Sequence, residues 1–175
     1  MKVVVVKYTP NWIKKFEAES AKLQNQIGSI INNIYHIGST SVPNLMAKPI
    51  IDILLDVKNL SQLDGKNSIW ENLGYEVMGE YGISGRRYFR KGGDHRTHHV
   101  HAFKSGDANL LRHIAFRDYL VAHKKVADEY GQLKLDISRR CGNDMAQYCD
   151  EKDAFVKHHE ALALKWFAHR NLTEI

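Results

Sequence analysis

The sequence predicts an α+β domain in which a small mixed sheet of α/β type is followed by a layer of helices. Three observations predict it. Short apolar or alternating runs bounded by Gly, Pro and Asn recur through the first part of the chain, the pattern of brief strands. From Asp107 onward the apolar spacing becomes helical, enough for roughly three helices. No internal repeat, low-complexity tract or Pro/Gly-rich linker divides the 175 residues, and only three prolines occur. The chain is therefore read as a single domain, with a sheet-containing core at 1–105 and a helical part packed on it at 106–175.

Element by element, Thr9-Pro10 starts a helix, with Thr9 as cap and Pro10 at the first helical position. That helix runs to about Gly28 with Trp12, Phe16, Leu23 and Ile27 on one apolar stripe. Ile30 to Ile37 reads as a strand that feeds a Gly38-Ser39 turn, and Pro49 to Val57 as a second strand. Leu60 to Leu73 reads as one helix stopped by Gly74. Tyr75 to Met78, Arg86 to Lys91 and Thr97 to Phe103 are three further short strands, the last two joined by a Gly92-Gly93-Asp94 turn.

Composition narrows the function classes. Hydrophobic residues at 43% and charged residues at 26% are ordinary for a globular protein. Val3 to Val6 is too short an apolar run to span a membrane, and no small-residue cleavage site follows it, so a cytoplasmic location is expected. Cys141 and Cys149 are expected to be reduced structural thiols. A net charge of +5 favours a small anionic partner such as a nucleotide or a phosphorylated coenzyme. RNA is not favoured, because the basic residues are scattered and form no stripe with aromatics.

The chemistry concentrates between His36 and Val57. Gly38 allows close approach of the chain to a ligand, and the small Gly38-Ser39-Thr40 turn leaves backbone N–H groups free to face an anion. Asp52 follows inside the apolar run Pro49 to Leu55, where an unpaired carboxylate is costly. Neither a P-loop nor a G-x-S-x-G elbow is present.

The stretch HIGSTSVPNLMAKPIIDI resembles the signature of the GrpB family, whose usual form reads HIGSTAVPGLAAKPIIDI. Leu73-Gly74-Tyr75, Gly85-Arg86-Arg87-Tyr88-Phe89, His98-His99-Val100-His101 and Phe116-Arg117-Asp118-Tyr119-Leu120 follow in that family's order, with Tyr130, Lys134, Tyr148, Lys152 and Phe155 in the tail. The resemblance covers nearly the whole chain. It implies a nucleotidyltransferase-like core and, through relatives fused to a dephospho-coenzyme A kinase, a nucleotide setting. That superfamily carries two acids two residues apart on the second strand, and here Leu54 stands in the second place. Asp56 does not substitute, since four strand residues place it about 13 Å from Asp52.

Strand alternation puts Thr97, His99, His101 and Phe103 on one face, and the resemblance brings His99 and His101 near Asp52. With Asp52 they would form a two-His, one-carboxylate set able to take a divalent metal, Mg by superfamily habit or Mn or Zn by donor type. The same histidines would serve equally as a general base, as a phosphate contact, or as core residues bonded to backbone. Lys48, Arg87 and Arg90 are the expected phosphate ligands, with His36, Tyr88, Arg117 and Lys152 as secondary candidates. Three functions are open on this reading: a nucleotidyltransferase-like enzyme, a non-catalytic nucleotide or coenzyme binder, and a His/Asp metal-dependent hydrolase in the same cleft.

Overall fold

The computed structural model describes residues 1–173 of the chain. Helix α1 (Asn11–Ile27) leads into β1 (Ile31–Ile37), a 3-10 turn at Ser39–Ser41 and, after a loop, β2 (Ile51–Val57). Two short helices, α2 (Leu60–Asp64) and α3 (Asn67–Asn72), precede β3 (Tyr75–Val77), β4 (Arg87–Lys91) and β5 (His98–Lys104). Helices α4 (Ala108–Ala122), α5 (Lys124–Arg140) and α6 (Met145–Thr173) complete it, and no helix among the described residues is long and apolar enough to cross a membrane. The α+β class and the short-sheet-then-helices order match the sequence reading.

The five strands form one mixed sheet in the order β1-β2-β5-β4-β3, parallel only between β2 and β5. One face of β2 presents Ile51, Ile53, Leu55 and Val57, which pack with Val100, Ala102, Phe89 and Trp70 into the main core beneath α1. The other face presents Leu54, which is fully buried with Ile37, Phe103 and Leu110 under α4. That alternation is the one the sequence shows, and it aims Asp52 at the helical layer instead of the main core.

Helix α1 starts one residue later than expected, at Asn11 with Pro10 at the cap position, while the Thr9 hydroxyl accepts from the Asn11 N–H at 3.3 Å. The single helix expected at Leu60 to Leu73 is instead two. Asn59 caps α2 by accepting from the Ser61 and Gln62 N–H groups at 2.8 and 3.3 Å. Gly65 then ends it: glycine costs about 1 kcal/mol in a helix interior, and Lys66 N–H bonds back to Leu63 in a tighter 2.9 Å turn. Both short helices still bury an anchor, Leu63 and Trp70, and Trp70 stacks on Phe89 at 3.8 Å.

Candidate functional site

The site is built where β2 and β5 run side by side under α5 and α6. Their parallel register sets Asp52 opposite His99 and Leu54 opposite His101. His99 Nδ1 and His101 Nε2 lie 3.3 and 3.5 Å from the same Asp52 oxygen. Burial by itself would raise the Asp52 pKa, but hydrogen bonds from His101 and His99 hold it well below the usual carboxylate range. Burial pushes His101 down, and pushes the adjacent His113 down to about 3, so these rings are neutral near pH 7.

Gly38 serves the same carboxylate. Its φ is 72°, and a Cβ there would sit 2.5 Å from the second Asp52 oxygen. Only glycine lets the turn close over Asp52. His36 bonds Thr40 Oγ1 at 2.9 Å and stacks on Phe16 at 4.8 Å, and burial lowers it to about 4. Arg117 donates to the His36 carbonyl at 3.2 Å and to Asp118 at 2.8 Å. His36 and Arg117 therefore brace the turn from behind.

The turn faces a cleft of about 210 Å³ whose lining includes Ser39, Thr40, Asp52, His99 and three lysines, Lys48, Lys134 and Lys152. Lys134 is 2% exposed and donates to Ser39 Oγ at 2.7 Å. The geometry begins at Gly131, where a Cβ would lie 3.3 Å from Leu45, so α5 seats closely on the loop and delivers Lys134 one turn later. Burial pushes the Lys134 ammonium well below its ordinary pKa, with Lys152 and Lys48 adding to the shift; burial and Lys152 also lower Lys48. Tyr148, 1% exposed, offers its ring to Lys48 at 4.9 Å and to Lys152 at 5.4 Å. Among the described residues none of these three ammoniums has a carboxylate within ion-pair distance, whereas Lys22, Lys91, Lys124 and Lys157 do.

Gly38, Ser39, Thr40, Lys48, Asp52, His99, His101 and Lys152 are thus brought to one place. The arginines are not. Arg87 projects from the opposite face of β4 and grips Asp64 through two bonds of 2.7 and 3.0 Å, because strand alternation carries it away from Tyr88. Arg90 is cross-strand to Glu76 and spends its guanidinium there, at 3.1 and 3.3 Å. Tyr88 is buried against His101 and His99, under the Arg86 guanidinium at 4.8 Å, so its ring faces are not open to a base.

The donor set does not fit the superfamily's two-acid metal site. Leu54 is fully buried, Asp56 is bonded to Ser105 at the far end of the strand, and both histidines turn to one Asp52 oxygen. Among the described residues no group of three or more His, Cys, Asp or Glu side chains is arranged to hold a metal ion. The sequence reading named Lys134 in the family signature but not among the ligands, although a lysine standing in register with the buried residues Ala127, Tyr130 and Ile137 of α5 was the signal for it.

The family model described as GrpB protein matches residues 2–161. UPF0157 protein YqkA of Bacillus subtilis is 42% identical over 97% of this chain and 50% of its own length, so the chain spans half of that relative. A crystal structure of conserved protein GrpB from Enterococcus faecalis superposes with a TM-score of 0.90 at 44% identity, covering 94% of this chain and 99% of that one. More distantly, the dephospho-CoA kinase of Mycobacterium leprae is 24% identical over 90% of this chain and 45% of its own length. By signature, by family model and by superposition, the chain belongs to the GrpB family.

Proposed function

We propose that the cleft binds a phosphorylated small molecule of nucleotide or coenzyme type, with Lys48, Lys134 and Lys152 on its phosphate oxygens. The observation that carries this reading is that three ammoniums without carboxylate partners line one cleft, with Lys134 bonded to Ser39 at its wall. Burying such charge is costly unless an anion compensates it. The distant match to a dephospho-CoA kinase supports the same ligand class. Because the residues around Asp52 do not fit a two-acid metal site, the lysines supply the positive charge, and binding proceeds without a divalent ion.

A second reading, nucleotidyl or related phosphoryl transfer, draws on the Asp52–His99 contact of 3.3 Å. Asp52 would hold the His99 ring in one tautomer, with the other ring nitrogen free to accept a proton. His99 would then take the proton of an attacking hydroxyl while the lysines offset charge developing on the phosphate.

Thermal denaturation with inorganic pyrophosphate, with and without Mg²⁺, Mn²⁺, Zn²⁺ or EDTA, tests the first reading. Ligand at a hundred times its dissociation constant adds about 2.7 kcal/mol of stability, and the shift should persist in EDTA. No shift under any condition would overturn the assignment; a shift seen only with a metal would return the site to metal-assisted chemistry.

A further inference from the structure

A larger groove adjoins the cleft. It holds about 840 Å³, and Lys48 and Ile50 line both cavities, so the Lys48–Ile50 segment is a sill between them. The cleft at about 210 Å³ falls below the usual range of small-molecule sites, about 300–1,000 Å³, while the groove falls inside it. The cleft therefore has room for phosphates but not for a nucleoside or an acyl-carrier arm.

The groove's walls are fixed by bonds. On one side the N-terminal segment is clipped to the loop by the Val6–Ala47 bridge, at 2.9 and 3.1 Å, and to Asn143 by the Val3 N–H at 3.2 Å. On the other side stands the β4–β5 turn, where Gly92 has φ 104° and a Cβ would meet the His95 carbonyl at 2.4 Å. The lining includes aliphatic Val4, Pro49 and Ile50, and Val4 is 47% exposed. Lys2, Lys15 and Arg96 outnumber Asp94 on the same lining. No Phe, Tyr or Trp lines it among the described residues, so aliphatic contact from Val4, Pro49 and Ile50 is joined only by the His95 ring and the Arg96 guanidinium.

Resting on the anion-binding reading of the cleft, we propose that this groove holds the organic part of the ligand, so that the protein selects phosphate esters over free phosphate or pyrophosphate. The shared chemistry is a phosphate or diphosphate head joined to a carbon-rich arm. Val4, Pro49 and Ile50 contact the arm, the lysines of the cleft contact the head, and Lys48 touches the point of attachment.

Calorimetric titration separates the two parts. The probes are phosphate against 4′-phosphopantetheine, and pyrophosphate against ADP, so that the pairs tell an aliphatic arm from a nucleoside. At least one ester should bind about tenfold tighter than its head alone, the equivalent of burying roughly two methylenes. Val4→Trp, which fills the groove from an exposed position, should abolish that gain and leave pyrophosphate affinity unchanged; its melting temperature without ligand checks the fold. Esters no tighter than their heads would overturn the groove assignment while leaving the cleft intact. Failure of heads and esters alike would overturn the reading of the cleft itself.

Discussion

Two acids on opposite faces of the sheet, Glu19 buried and Asp52 partly exposed, show what separates a structural ion cluster from a site. Glu19 of α1, 3% exposed, accepts from Tyr75 and Lys91 at 2.8 Å each and from Lys22 at 3.5 Å. Burial would raise its pKa, but hydrogen bonds from Lys91 and Tyr75 bring it below the usual value. Asp52 obeys the same physics through His101 and His99. The difference lies in the cations. Around Glu19 two lysines are consumed by the carboxylate. Around Asp52 the histidines serve the acid, and three lysines are left facing a cavity. A perturbed acid marks a site only where the surrounding charge is not already spent.

The comparison breaks most visibly at Glu19. Glu19→Ala leaves the Tyr75 hydroxyl and the Lys91 ammonium without their acceptor. Breaking a buried pair costs about 3–5 kcal/mol, and partial rehydration of Lys91, whose side chain is 23% exposed, reduces this to about 2–3 kcal/mol. Urea denaturation should show that loss, with pyrophosphate affinity unchanged in the folded protein. A loss within about 0.5 kcal/mol would mean that the cluster is peripheral.

Lys134→Met should do the reverse. It replaces a buried ammonium by an apolar chain of similar length, so stability should hold or rise, while pyrophosphate affinity falls about 10- to 100-fold, the worth of a hydrogen bond to a charged group. The pH dependence sharpens the test. Lys134 titrates well below 10.5 in the folded protein, so between the two pKa values the unfolded chain binds more protons and stability rises with pH. Across the same window the ammonium is lost and phosphate affinity falls. The methionine variant should flatten both slopes; slopes equal to those of the parent protein would take Lys134 out of the site.

Much of the frame was legible because it rests on local periodicity. The alternation in IIDILLDV gave both faces of β2, and H-x-H gave the face of β5. Their adjacency in register was not in the periodicity; it came from family resemblance. Three things escaped. The break at Gly65 was hidden because Leu63 and Trp70, seven apart, suit one helix as well as two. Lys134 reaches Ser39 across 95 positions, a contact that no spacing rule encodes. For the strand arginines, no spacing reveals that Arg87 and Arg90 each already hold an acid in the fold.

That last point carries the smallest predicted effect. Arg87 was a phosphate candidate on sequence and is, in the fold, a clasp between β4 and α2 through Asp64. Its side chain is 23% exposed and that of Asp64 47%, so water screens the pair despite its two-point geometry. Arg87→Ala should therefore cost about 0.5–1 kcal/mol in urea denaturation and leave pyrophosphate affinity within about twofold of the parent protein. The paired outcome discriminates because Lys134→Met is expected to spare stability and remove binding. If Arg87→Ala instead weakened pyrophosphate binding by about tenfold, the anion would have to lie on the Glu19 face of the sheet, where Lys91 would be its first cation.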